Sequence, residues 1–142
     1  RAALLTPNRP EAEALAGRSA AGLAGAAAAA RVLADRYGCA VLVKGGHDPD
    51  QPAADLLCIG GAIQRIATPA VAAPLSTHGT GCTLSAAIAA SLALGRELEQ
   101  AVVEGKAYVY EALRTGRIVG PGATVLGMPA RLPLEAVTRE PL

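Results

Sequence analysis

Phenylalanine and tryptophan are absent from the 142 residues, and aromatic side chains make up only 2% of the chain. A core without large rings has to be assembled from Leu, Val, Ile and Ala, and alanine is abundant throughout. A surplus of either charge is missing too: 13 Lys and Arg face 12 Asp and Glu, leaving a formal +1. That balance argues against a dedicated binder of nucleic acid or of an anionic membrane, which would carry a basic excess. Three cysteines, Cys39, Cys58 and Cys82, form neither a disulfide framework nor a paired zinc-ligand spacing. A reducing, cytoplasmic setting is the expectation. The longest small-residue run, "AAGLAGAAAAARVLA", contains Arg31 and is short of the roughly 20 strongly apolar residues that a membrane span requires. No secretory signal opens the chain and no internal repeat runs through it.

What is present is 51% apolar, sufficient for one domain with a real core. The opening "RAALLTPN" lacks an initiating Met and reads like the interior of a strand, so the expectation is the C-terminal portion of something longer. Its apolar run stops at Pro7-Asn8. A short helix is expected over Glu11 to Ala16, with Pro10 near its first turn and Gly17 ending it. Ser19 is the expected cap of a longer helix that buries Leu23, Ala27, Ala30, Leu33 and Tyr37 and ends at Gly38. "CAVLVKGG" is a continuous apolar strand of the kind found in parallel sheets. Two strand-like runs flank Gly60-Gly61, a two-residue hairpin signal and a candidate exposed edge where a second copy could pair. Helices follow from Thr80 to Ala93, with Leu84, Ile88 and Leu92 on one face, and from Glu97 to about Arg114, with Val102, Val103, Tyr110 and Leu113 as apolar candidates. The alternation points to an α/β domain with a largely parallel sheet.

Three stretches carry chemistry. In "STHGTGCTLSAA", Gly79 and Gly81 let an anion approach backbone N–H groups at the positive start of a helix, and Thr77 and Thr80 add hydroxyls. The same positive end would lower the thiol of Cys82 from about 8.5 toward neutrality, where it can accept a proton from a substrate hydroxyl. The plain alternative is a capped turn with an inert cysteine. A nucleophile pair or zinc site using His78 and Cys82 is weaker, and no Lys-Ser/Thr follows the glycines to make a P-loop. In "TPNRPEAEAL", Asn8 and Glu11 could hold a hydrated Mg²⁺ through its waters, or simply form a turn and complement the helix dipole. In "VLVKGGH", Lys44 at the end of a strand could meet phosphates, with Gly45 and Gly46 turning the backbone, or reach solvent. His47 reads as a surface loop residue, and Cys39 and Cys58 as small core residues.

Taken in this order, "TPNRPEAEAL", "VLVKGGH" and "STHGTGCTLSAAIAASLALG" with "AVVEGKAYVYEAL" resemble the hydroxymethylpyrimidine/phosphomethylpyrimidine kinases of thiamine biosynthesis, members of the ribokinase-like superfamily. The resemblance runs from about Leu4 to Leu113 and leaves residues 115–142 a loosely matched tail. It implies a ribokinase-like sheet flanked by helices on both faces and incomplete at its N-terminus, within one domain spanning 1–142. It implies ATP-dependent phosphorylation of 4-amino-5-hydroxymethyl-2-methylpyrimidine and then of its monophosphate, with Mg²⁺. Cys82 would be the base; Gly79, Thr80 and Gly81 the anion hole; Lys44, Thr77 and Lys106 the ATP contacts; Asn8 and Glu11 the metal site, through water. The family's N-terminal half, with much of the pyrimidine pocket, has no counterpart here, so the isolated chain is expected to bind nucleotide weakly and turn over poorly. A pyridoxine or pyridoxal kinase, a non-catalytic fragment, and a thiol hydrolase through Cys82 and His78 are the alternatives.

Overall fold

The structure is a computed structural model that describes residues 2–45 and 53–142. Its elements in chain order are β1 (Leu4–Leu5), α1 (Arg9–Ala16), α2 (Gly22–Tyr37), β2 (Ala40–Val43), β3 (Ala54–Ile59) and β4 (Ala62–Ala67). There follow α3 (Thr80–Ala93), α4 (Leu98–Arg114), β5 (Arg117–Gly120), β6 (Ala123–Val125), a 3₁₀ turn (Leu134–Ala136) and β7 (Thr138–Pro141). They fall into two compact units, one running to Ala67 and completed by Thr138–Leu142, the other covering Thr68–Val137.

The first unit is a five-stranded sheet in the order β1-β2-β3-β4-β7. Gly60 and Gly61 both take positive φ, +56° and +84°, the conformation of a tight hairpin that glycine adopts without a Cβ penalty. That turn makes β3 and β4 antiparallel; β2–β3 and β4–β7 are antiparallel as well, and among the described residues the one parallel strand pair is β1–β2. The sheet is therefore mixed, where a largely parallel one was expected. The continuous apolar run of β2 reports burial on both faces, with Val41, Leu42 and Val43 all at 2% exposure or less, and burial on both faces does not fix the direction of a neighbour. The expectation of an exposed hairpin edge fails for a related reason. β3 lies between β2 and β4, and β4 between β3 and β7.

α2 packs on β2 and β3 with alanines, Ala26, Ala29 and Ala30 among them, and with Leu33, against Val41 and Cys58. Small side chains let the helix lie close to the sheet, which is how a core forms here without Phe or Trp. Tyr37, one turn beyond Leu33 at the helix end, is 42% exposed and does not join the buried set. Ser19 does not cap α2 either: Ala21 is the N-cap and makes no side-chain cap bond. Ser19 instead donates to Glu13 Oε1 and accepts from the Ala21 N–H, so it ties the α1–α2 loop together two residues early. Gly17 and Gly38 end α1 and α2 with left-handed φ as expected.

The second unit is built on α3 and α4. Leu84, Ile88 and Ser91 are the buried side of α3, and Leu92 is only half-buried. Gly105 of α4 faces Ile88: a Cβ there would lie 2.7 Å from Ile88 Cγ1, so the helices touch where α4 has no side chain. Val102 and Val103 are buried, while Tyr110 and Leu113 are half-buried. After α4 the chain forms the exposed β5–β6 hairpin, and the Gly127 N–H donates to the Ala112 carbonyl at 2.8 Å.

Candidate functional site

The sequence-predicted residues fall into two groups, one in each unit. In the first, the segment from Leu4 runs parallel to β2 and keeps its register as far as an isolated bridge between Asn8 and Lys44. The Lys44 N–H donates to the Pro7 carbonyl at 2.8 Å. Asn8 and Lys44, 36 positions apart in sequence, thus end side by side at the close of two parallel strands, where open α/β sheets place ligands.

Asn8 is the N-cap of α1. Its Oδ1 accepts from the Glu11 N–H at 2.8 Å, and Glu11 Oε2 accepts from the Asn8 N–H at 2.7 Å. This reciprocal capping box satisfies two N–H groups that the helix start leaves open. Each side chain therefore has a structural task, the plain alternative foreseen for them. Among the described residues no group of three or more His, Cys, Asp or Glu side chains is placed to hold a metal. The donor set fits Mg²⁺ only in the manner that leaves most ligands to water and phosphate, with Glu11 the single exposed carboxylate of the pair.

Beside Lys44, the Gly45 N–H donates to Asp55 Oδ1 at 2.8 Å. Asp55 is 5% exposed, a buried acid at the start of β3. It escaped the sequence reading because "ADLLCI" is otherwise an ordinary apolar strand; a charge inside such a run was the signal available. Gly46 and His47 lie outside the described residues.

In the second unit, Gly79 is the N-cap of α3 at φ +82°, a conformation that L side chains rarely adopt. The Thr80 N–H points to the Thr77 carbonyl at 3.5 Å and the Thr80 hydroxyl donates to the same carbonyl at 3.0 Å, so the hydroxyl expected to face an anion closes the turn instead. The Thr83 N–H donates to the Gly79 carbonyl at 2.9 Å. Between them, the N–H groups of Gly81 and Cys82 have no acceptor among the described residues. Cys82 is exposed. His78 is exposed too, and among the described residues no hydrogen bond joins it to Cys82. Of the other cysteines, Cys58 is buried in β3, and burial raises its thiol pKa. Cys39 departs from the expectation, being half-buried in the bend before β2.

Lys106 is half-buried on α4. The same helix helps to line a cavity of about 390 Å³ that also touches the first turns of α3 at Thr83 and Ala87 and reaches Tyr108 and Leu132. On its wall Ser91 donates to Glu104 Oε2 at 2.6 Å, Gln100 donates to Oε1 at 3.2 Å, and Arg96 pairs with Oε1 at 3.3 Å. The Ser91 hydrogen bond, more than the others, holds the Glu104 carboxyl below the usual range, against the effect of burial. The sequence offered Ser91 only as a polar break in an alanine-rich helix.

The fold is that of the ribokinase-like kinases, as solved structures show. The pyridoxal kinase from Staphylococcus aureus, solved in complex with ADP, superposes on all of this chain with a TM-score of 0.87 at 29% identity, over 54% of its own length. A putative phosphofructokinase from the same organism shares the fold with a TM-score of 0.68 at 19% identity, matching 99% of this chain and 42% of its own.

The phosphomethylpyrimidine kinase family model matches residues 1–126, and the chain belongs to that family. The hydroxymethylpyrimidine/phosphomethylpyrimidine kinase of Synechococcus elongatus is 44% identical over 127 residues, 89% of this chain and 48% of that protein. The Bacillus subtilis enzyme of the same name is 38% identical over 83% of this chain and 44% of its own. The chain thus spans about half the length of the curated relatives it matches. No helix among the described residues is long and apolar enough to cross a membrane.

Proposed function

We propose that this chain carries the nucleotide and phosphoryl-transfer side of a kinase that uses ATP to phosphorylate 4-amino-5-hydroxymethyl-2-methylpyrimidine and then its monophosphate. The observation that carries the reading is the exposed Cys82 thiol at a helix start whose Gly81 and Cys82 N–H groups have no acceptor among the described residues. N–H groups left open in this way can stabilise charge that builds on a migrating phosphoryl group. The hydroxymethyl oxygen bonds to the γ-phosphorus, the bond from that phosphorus to the β–γ bridging oxygen breaks, and ADP leaves. Cys82 takes the hydroxyl proton as attack proceeds. Lys44 meets the phosphates as a point charge, with Thr77 and Lys106 as further nucleotide contacts. Mg²⁺, held through water near Asn8 and Glu11, would supply charge neutralisation at the phosphates.

The test is alkylation of Cys82 in the 142-residue chain, followed by mass spectrometry with and without millimolar ATP and Mg²⁺. Protection of Cys82, and loss of that protection in Lys44→Ala, are the expected results. Equal labelling in every case overturns the assignment and favours a thiol role unrelated to nucleotide.

The pyridoxal kinase fold match supports a second reading, phosphorylation of a B6 vitamer. The higher identity to pyrimidine kinases weighs against it. ADP release measured in parallel with each alcohol separates the two.

A further inference from the structure

A carboxylate that is 5% exposed is costly to bury unless its oxygens are used, and the phosphoryl-transfer reading gives Asp55 no part. Its position tells what it does. Oδ1 of Asp55 accepts the Gly45 N–H at 2.8 Å, one residue after Lys44. On the other side of the lysine, the Lys44 N–H is held by the Pro7 carbonyl at 2.8 Å. Gly45 itself is pressed onto β3: a Cβ at that position would stand 1.7 Å from the Ala54 carbonyl oxygen. The backbone of Lys44–Gly45 is therefore fixed at consecutive amides from two different neighbours, β1's extension and β3, and the residue that makes the second contact cannot bear a side chain.

We infer that Asp55 is the positioning residue of Lys44: by taking the Gly45 N–H it fixes the direction in which the chain leaves β2, and with it where the lysine ammonium can reach a nucleotide phosphate. This rests on the reading of Lys44 as a phosphate contact. A lysine side chain has four rotatable bonds, so its value as a phosphate ligand depends on how firmly its Cα is held. The Asp55 contact does not need the carboxylate's charge; an amide oxygen at the same place can accept the same N–H. Asp55→Asn should therefore keep the Gly45 amide held, while Asp55→Ala frees it.

The experiment measures MgATP affinity of the 142-residue chain and hydrogen exchange at the Gly45 amide in wild type, Asp55→Ala, Asp55→Asn, Lys44→Ala and the Asp55→Ala/Lys44→Ala double variant. Asp55→Ala is expected to speed exchange at Gly45 and to weaken ATP by up to about tenfold, because binding must then repay the ordering that the lost hydrogen bond supplied. Asp55→Asn should recover most of both. The double variant should bind no more weakly than Lys44→Ala, because without the lysine there is nothing left to aim. Additive losses, or an Asp55→Ala chain that binds ATP like wild type, overturn the inference. If Asp55→Ala does not fold, Asp55→Ser, polar but too short to reach the amide, takes its place under the same criteria. Wild type and Lys44→Ala binding ATP alike would overturn the reading of Lys44 and the inference with it, whereas a loss in Lys44→Ala without one in Asp55→Ala sinks the inference alone.

Discussion

Ser91 and Glu104 show how a single hydroxyl sets the behaviour of an acid in a mostly apolar unit. Since the Ser91 bond chiefly lowers the Glu104 pKa in the fold, the folded value lies below the unfolded one, whose ordinary level is near 4.5. The contribution to stability is complete above that level and is lost as pH falls through the folded value. Thermal melts from neutral to strongly acidic pH should show that loss, and Ser91→Ala should lower the melting temperature most above the ordinary carboxylate range and flatten the acid limb. An unchanged acid limb in Ser91→Ala would mean that Gln100 and Arg96 suffice. The other residue-scale features were readable because they are contiguous: Gly79, Gly81 and Cys82 announce themselves within four positions. Asp55 was not, since its partner is ten positions away and only the pairing of β2 with β3 brings them together.

At the scale of elements, α3 was legible to its ends, Thr80 and Ala93, because a glycine entry and the Leu84–Ile88 spacing coincide. Its partner surface was not, because a glycine in a helix reads as a cost of about 1 kcal/mol until the neighbour is known. Gly105 is where Ile88 sits. Gly105→Val should push α4 from α3 and cost about 1–3 kcal/mol, as over-filled contacts do. Denaturant titration would read it as a lower midpoint with an unchanged slope. A variant as stable as wild type would mean that Ile88 can turn away at no cost. The hairpin at Gly60-Gly61 was equally plain in the sequence, whereas the direction of β3 against β2 had no local signal.

At the scale of the whole chain, the first unit is completed from the far end of the sequence. β7 pairs with β4 from Thr138 to Pro141, and the Leu142 N–H donates to the Ile63 carbonyl at 3.0 Å. All four β7 residues are exposed, so the strand carries no apolar alternation by which a sequence reading could find it. It is held by backbone bonds, with Arg65 and Glu140 paired at 3.2 Å. Deleting Thr138–Leu142 uncovers the β4 edge, and an uncovered edge is a template for another chain. The expected result is a lower melting temperature and scattering that grows with protein concentration; a monomeric deletion variant would show that β4 protects itself.

Local structure was determined by the sequence alone: which segments wind or extend, where glycine turns them, and which short stretches carry a thiol, a lysine and a glycine-rich turn. These depend on neighbours a few positions apart, whose sterics and spacing survive in any context. The tertiary structure decided strand direction, the covering of β4, the buried acid behind Lys44 and the seat for Ile88. Each of those is a contact between distant residues, and its energy exists only once the backbone has brought the two surfaces together.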